Sequence, residues 1–210
     1  GVRFDGLTLH GREPQGTPPL FHADLLQFDI HVESVWGRKI SLGNVEMSHF
    51  SVDLRVAKDG TTNIPGPKIQ ATPGKIPVQG LIDLKVARLR LDDGEIVWND
   101  VRTPLTAKGG KFEFAMNYAI DAGQPVYLGQ TSWLQCEIAA LKFLPFTSDV
   151  SARFALRADS FALTQLQWKT LHSEVDAQAT VASLSRPTWD FKYRAQVRLD
   201  DLWSILRQKE

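Results

Sequence analysis

Residues 188–199, TWDFKYRAQVRL, alternate between polar and apolar side chains without an exception. The odd-numbered positions from Trp189 to Leu199 are apolar, and the even-numbered positions between them are polar. A period of two residues is that of a β-strand with one face buried and the other in water. Twelve residues in phase do not fit a helix. The stretch therefore predicts a long strand whose two faces differ in chemistry.

The same alternation recurs along much of the chain and predicts the fold class. Its apolar positions are Leu26, Phe28, Ile30 and Val32; Phe50, Val52, Leu54 and Val56; Phe112, Phe114, Met116 and Tyr118; and Val150, Ala152, Phe154 and Leu156. A weaker strand is expected over residues 171–181. Helical periodicity is confined to a short terminal helix, capped by Asp200 or Asp201. We expect an all-β, mostly antiparallel fold of about ten or more strands.

Two segments share a pattern that suggests tight turns. Asp92-Asp93-Gly94 lies between apolar alternating runs, which predicts a hairpin of the Asp-Gly kind. Residues 45–54 and 89–98 follow a common spacing, and both are interpreted as strand, tight reversal, strand. An internal repeat and the turn chemistry that any β-protein shares explain this similarity equally well.

Glycine and proline divide the chain near residues 58–79, where no strand former repeats in phase. Proline removes ladder donors and glycine raises the entropy cost of ordering, so a long loop is expected there. The predicted organisation is an N-terminal β segment (1–57), a Pro/Gly-rich loop (58–79) and a main antiparallel domain with the terminal helix (80–210). From the sequence at its two ends, we expect this chain to be a fragment of a longer protein.

Composition argues against several classes of function. Lys plus Arg equals Asp plus Glu at 24 each, which does not fit a nucleic-acid binder. The single cysteine, Cys136, rules out an intrachain disulfide and is expected to be a buried, inert thiol. His31 between Asp29 and Glu33 is better explained by ordinary surface charge than by a metal. We expect no catalytic residue, no metal and no cofactor, and hence no enzyme.

Several predicted strands place three or four large apolar side chains on one face. In a closed sandwich, such faces pack against each other and exclude water and ligands. An open, curved sheet instead leaves an exposed apolar surface that hydrocarbon can cover. The candidate lining residues are Phe112, Phe114, Met116, Tyr118, Phe154, Leu156, Trp189, Phe191, Tyr193 and Val197. The alternative is a β-sandwich carbohydrate-binding or adhesion module, since the chain has six tryptophans and sugars stack on exposed indoles.

Two short motifs resemble those of the bacterial AsmA-like and TamB-like envelope proteins. The first is D-G-x-x-N-[LI]-P after a strand, matched by Asp59, Gly60, Asn63, Ile64 and Pro65. The second is L-x-L-x-x-G-x-[IV]-x-[WY]-x-D, which residues 89–100 match. The resemblance covers residues 40–120.

The resemblance implies a strongly curved sheet that forms an open, taco-like groove in the bacterial periplasm. It also implies an upstream inner-membrane anchor and a role in phospholipid transport or outer-membrane protein assembly. The expected partners are phospholipid acyl chains and outer-membrane assembly proteins, with no nucleic acid among them. The family has no catalytic residues to carry over.

Overall fold

The computed structural model describes residues 1–34, 39–64, 85–140, 144–184 and 186–206, and the side chains of these except 31–34 and 39–41. The described residues form one open sheet of ten strands in sequence order, followed by one helix. The strands are β1 Val2–Leu9, β2 Phe21–Ser34, β3 Lys39–Val56, β4 Arg88–Asp100, β5 Leu105–Asp121, β6 Gln124–Ala140, β7 Phe146–Leu156, β8 Phe161–Thr170, β9 Ser173–Val181 and β10 Trp189–Gln196. The helix, α1, is Leu199–Leu206. The predicted all-β fold with a short terminal helix is confirmed.

The sheet is mostly antiparallel, as the alternation predicted. Within the described residues, only β3 and β4 pair in parallel, and every other neighbouring pair is antiparallel. β1 and β10 are the two edges, so the sheet is not closed into a barrel. The parallel pairing joins residues on both sides of the Pro/Gly-rich segment into one sheet. Residues 65–84 of that segment lie outside the described residues.

The predicted hairpin at Asp92-Asp93-Gly94 is wrong. β4 runs through these residues as one strand, with register shifts against β5 on both sides of Gly94. β3 is continuous in the same way, so neither of the two similar segments reverses direction. They lie side by side in parallel register instead, with Val45 opposite Leu89 and Leu54 opposite Trp98.

A seam of left-handed residues crosses the sheet where those turns were expected. The backbone φ is between +50° and +57° at His49, Asp93, Lys111 and Gln135, which the pairing registers place close together on the successive strands β3–β6. Gly6 of β1, with φ +72°, lies at the same level, with one residue of β2 between it and His49. Such a residue interrupts the pleat, and bulges of this kind bend a strand and increase its twist. In the sequence, a shift of alternation after one residue looks the same as a turn.

The seam residues are joined by polar contacts. Lys111 Nζ donates a hydrogen bond to the side-chain Oε1 of Gln135 at 2.7 Å. The backbone N–H of Gln135 donates to Asp149 Oδ1, also at 2.7 Å. His49 Nε2 lies 3.4 Å from Asp93 Oδ2. The first two contacts join β5, β6 and β7 along the seam, and the third joins β3 to β4.

Helix α1 is held against the sheet by one buried carboxylate. Asp201 is 3% exposed and accepts hydrogen bonds from the Ser173 hydroxyl and from the His172 amide, the latter at 2.9 Å. The Leu144 amide also donates to the Ile205 carbonyl at 3.2 Å. The helix is therefore fixed at the end of the sheet where β8 turns into β9.

Candidate functional site

One face of the sheet is apolar from edge to edge; we call it the apolar face. Directly paired residues form a row across all ten strands: Val2, Phe28, Val45, Leu89, Met116, Gly129, Phe154, Leu163, Ala179 and Phe191. An adjacent row contains Phe4, Leu26, Met47, Leu91, Phe114, Thr131, Ala152, Leu166, Ala177 and Tyr193. Each row has at most one polar side chain, so the apolar surface is continuous across the strands.

In the central part of the apolar face, aromatic rings meet across an intervening strand. Phe50 of β3 and Phe112 of β5 meet edge to face with ring centroids 6.0 Å apart, although β4 lies between their strands. In a flat sheet, strands two apart are separated by roughly 9.5 Å. Gly94 of β4 makes the approach possible, since a Cβ there would overlap the Phe50 ring.

A second set of aromatic rings repeats this arrangement. Phe114 of β5 and Phe154 of β7 have ring centroids 5.7 Å apart, and Phe154 in turn lies 5.9 Å from Phe161 of β8. A Cβ on Gly129, in the intervening strand β6, would overlap the Phe154 ring. Glycines beneath large rings thus allow aromatic side chains of strands two apart to contact each other on the apolar face.

The ten predicted lining residues differ in exposure. Nine occupy the apolar face of β5, β7 or β10, whereas Val197 follows the end of β10. Met116 is buried, the remaining predicted residues on β5 and β7 are half-buried, and Val197 and those on β10 are exposed. The strand predicted over 188–199 is shorter in the structure: β10 ends at Gln196, and Leu199 begins helix α1.

Near the start of β4, part of the apolar face is covered by the protein itself. Val86, which precedes β4, packs with Met116 and Tyr127, and its amide donates a hydrogen bond to the Tyr127 hydroxyl at 2.8 Å. Tyr127 has no exposed surface, and its burial raises the pKa of the phenol. The alternation gave no signal for this contact, because Val86 lies outside the strands.

The edge of the apolar face at β10 is open. Trp189, Phe191 and Tyr193 of β10 are 69%, 59% and 68% exposed. Their partners on β9 include Ala177 and Ala179, and β10 has no strand on its other side among the described residues. Three large aromatic side chains therefore continue the apolar rows into solvent.

Two polar atoms on the apolar face are buried and lack a hydrogen-bond partner among the described residues: Ser148 Oγ and Trp168 Nε1. Ser148 pairs across the sheet with Cys136, which is 1% exposed. Burial raises the pKa of the Cys136 thiol to about 11, so the thiol is protonated at neutral pH. The prediction that this cysteine is buried is confirmed.

The residues of the first family-like motif build a turn beyond β3. Asn63 is buried; its side chain donates to the Asp53 carbonyl at 2.6 Å and accepts from the Arg55 amide at 2.9 Å. Asp59 Oδ1 accepts from both the amide and the hydroxyl of Thr61, and Gly60 has φ +85°. Pro65 lies outside the described residues. The contacts give this motif a structural role in holding the turn against β3.

No protein-family model, curated protein or solved structure matches the chain. Within the described residues, no helix is long and apolar enough to span a membrane. The same part of the chain contains no group of three or more His, Cys, Asp or Glu side chains arranged to hold a metal. The likeness to the AsmA-like and TamB-like proteins thus rests on the sequence motifs alone.

Proposed function

We propose that this chain is a non-enzymatic part of a bacterial envelope protein and that its apolar face shields lipid acyl chains. The observation that carries the proposal is the open edge of that face. Phe191 and Tyr193 lie in apolar rows that begin at β1, and Trp189 lies next to them on the same strand face, yet each of the three is more than half exposed. Contiguous exposed apolar surface of this kind marks a site that another apolar group covers.

The dimensions fit an acyl chain. Exposing hydrocarbon to water costs about 0.8 kcal/mol per CH₂, so a lipid tail needs continuous apolar cover outside a membrane. One leaflet of a bilayer has a hydrocarbon depth of about 15 Å, half of the 30 Å core. Neighbouring strands are about 4.8 Å apart, so four strands span roughly 14 Å. The apolar side chains of β7–β10 are therefore enough to cover one tail.

The contrast between the faces supports a passive mechanism. Water contacts the polar side chains of each strand, while the tail contacts only apolar side chains of the opposite face. These contacts are not directional, so they require no specific motif and no catalytic group. The neutral charge of the chain also suits a headgroup that stays in water.

The motif resemblance supplies the setting that we propose. By analogy with the AsmA-like and TamB-like proteins, the chain acts in the periplasm, within a longer protein that an inner-membrane helix anchors. Its role is the movement of phospholipid between the membranes or the assembly of outer-membrane proteins, with assembly proteins as further partners.

Lipid extraction tests the proposal. The chain is secreted to a bacterial periplasm and purified without detergent, and its bound lipids are extracted and quantified by mass spectrometry. We expect phospholipid with the wild-type chain and at least about a tenfold reduction with Phe191→Glu, because a carboxylate on the open edge repels hydrocarbon. Lys192→Glu, one position along on the polar face, is the matched control and should retain lipid.

A different result would contradict the proposal. If the wild-type chain carried no lipid, or if folded Phe191→Glu carried as much as Lys192→Glu, the open edge would not be the lipid site. Binding of a neutral oligosaccharide that is lost with Trp189→Ala would instead favour the carbohydrate-binding alternative.

A further inference from the structure

The opposite, polar face of the sheet contains a cavity of about 550 Å³ that the lipid proposal does not use. Its lining comes from five successive strands, β4 to β8. Three small side chains, Ala115, Ser132 and Ser151, lie on the polar face of β5, β6 and β7 and form the floor of the cavity, and longer side chains of the same strands lie beside them. Long side chains rise from β4 on one side and from β7 and β8 on the other. We call this cavity, which lies between longer polar side chains, the trough.

The walls of this trough carry guanidinium groups. Arg88 and Arg90 come from β4, and Arg153 comes from β7, three strands away or roughly 14 Å. Arg90 Nε is paired with Asp92 at 2.6 Å, and Arg88 Nε donates to Asn117 Oδ1 at 3.2 Å. The Arg153 side chain has no ion pair or hydrogen bond among the described residues, so its donors are available to a ligand.

Amide and hydroxyl groups make up much of the remaining lining, which also includes Phe114 and Ala152. Gln130, Gln165 and Gln167 lie around Arg153, next to the two floor serines. Amides both donate and accept hydrogen bonds, which suits the hydroxyl groups of a sugar. A guanidinium offers a planar fork of donors that matches a phosphate.

We propose that the trough binds a phosphorylated saccharide, with its phosphate on Arg153 and its hydroxyls on the neighbouring amides. Two carboxylates, Asp92 and Glu113, also line the trough, so the five charged side chains sum to one positive charge. This balance favours a ligand with one phosphate group over a polyanion. The volume lies within the range that holds small organic ligands. Because this site is on the other face, it does not depend on the lipid proposal.

Calorimetric titration of the full chain tests this site, with glucose 6-phosphate as the probe and inorganic phosphate and glucose as comparison ligands. We expect glucose 6-phosphate to bind more tightly than either comparison ligand. Arg153→Gln should weaken that binding at least about tenfold, because it removes the charge-assisted hydrogen bonds to the phosphate. Arg3→Gln is the control, since Arg3 is an exposed strand arginine on β1, three strands outside the wall of the trough that β4 forms.

Three outcomes would overturn the proposal. One is the absence of measurable binding of glucose 6-phosphate to the folded wild-type chain. Another is equal affinity for inorganic phosphate, which would show a phosphate site without saccharide recognition. The third is an equal effect of Arg153→Gln and Arg3→Gln, which would indicate only nonspecific attraction to positive charge. Circular dichroism of both variants verifies that they are folded.

Discussion

Gly94 shows how a single small residue permits two aromatic rings to meet across a strand. A Cβ at this position would overlap the Phe50 ring, which reaches over β4 to contact Phe112. We expect Gly94→Ala to destabilise the chain by about 1–3 kcal/mol, because the ring must move out of its packed position. Urea unfolding measures the change. Gly110, whose added Cβ would meet nothing within 4 Å, is the matched control, and Gly110→Ala should not destabilise the chain. Equal losses in the two variants would contradict the packing argument.

Asp201 makes the attachment of helix α1 depend on pH. A hydrogen bond from the Ser173 hydroxyl, and further bonds from His172, hold the pKa of this carboxyl below its ordinary value. A depressed pKa in the folded state means that the attachment is fully present above the unfolded pKa, near 4. It is lost as the pH falls through the lower, folded pKa. We expect the amide protons of α1 to lose protection against hydrogen exchange over that acidic range.

Substitution separates this effect from general acid unfolding. Asp201→Asn should lose helix protection already at neutral pH and should show no further loss in acid. Asp200→Asn removes an exposed carboxylate from the same helix turn and should behave as wild type. Protection of α1 that stayed intact in Asp201→Asn would show that other contacts hold the helix.

At the scale of the strand, the seam of left-handed residues is the feature that organises the sheet. Lys111 has φ +55°, a region that costs an ordinary L-residue roughly 1–2 kcal/mol and costs glycine little. We therefore expect Lys111→Gly to raise the free energy of unfolding by up to about 1 kcal/mol. Glu113→Gly, two residues along in regular strand, should lower it by about 1 kcal/mol. Destabilisation of the same size by both glycines, measured by thermal or urea unfolding, would mean that the seam is not strained.

The seam also marks the limit of what alternation predicts. The regular spacing of Phe112, Phe114 and Met116 correctly predicts that they share one face. The sequence Asp92-Asp93-Gly94 wrongly predicts a reversal, because a one-residue change of phase and a tight turn have the same sequence signature. The distinction depends on the neighbouring strand, where His49 adopts the same conformation beside Asp93. Strand pairing supplies that information, and a single sequence does not.

At the scale of the whole molecule, the one-sided sheet follows from the sequence, but its exposed edge does not. Met116 and Phe191 lie in the same apolar row, yet Met116 is buried and Phe191 is exposed. The difference comes from their surroundings: Val86 packs against Met116, whereas Phe191 faces Ala179 at the last strand. The parallel β3–β4 pairing was equally hidden, because it joins segments more than 30 residues apart.

Site-specific photocrosslinking tests the central claim, that hydrocarbon occupies the open edge of the apolar face. Benzoylphenylalanine is placed at position 191 or at position 192 of the chain in a bacterial periplasm. The cells are irradiated, and the purified chain is analysed by mass spectrometry for covalently attached phospholipid. We predict adducts at position 191, where the side chain lies on the apolar face, and none at position 192 on the polar face. Equal adduct yields at the two positions, or no lipid adduct at position 191, would contradict the account.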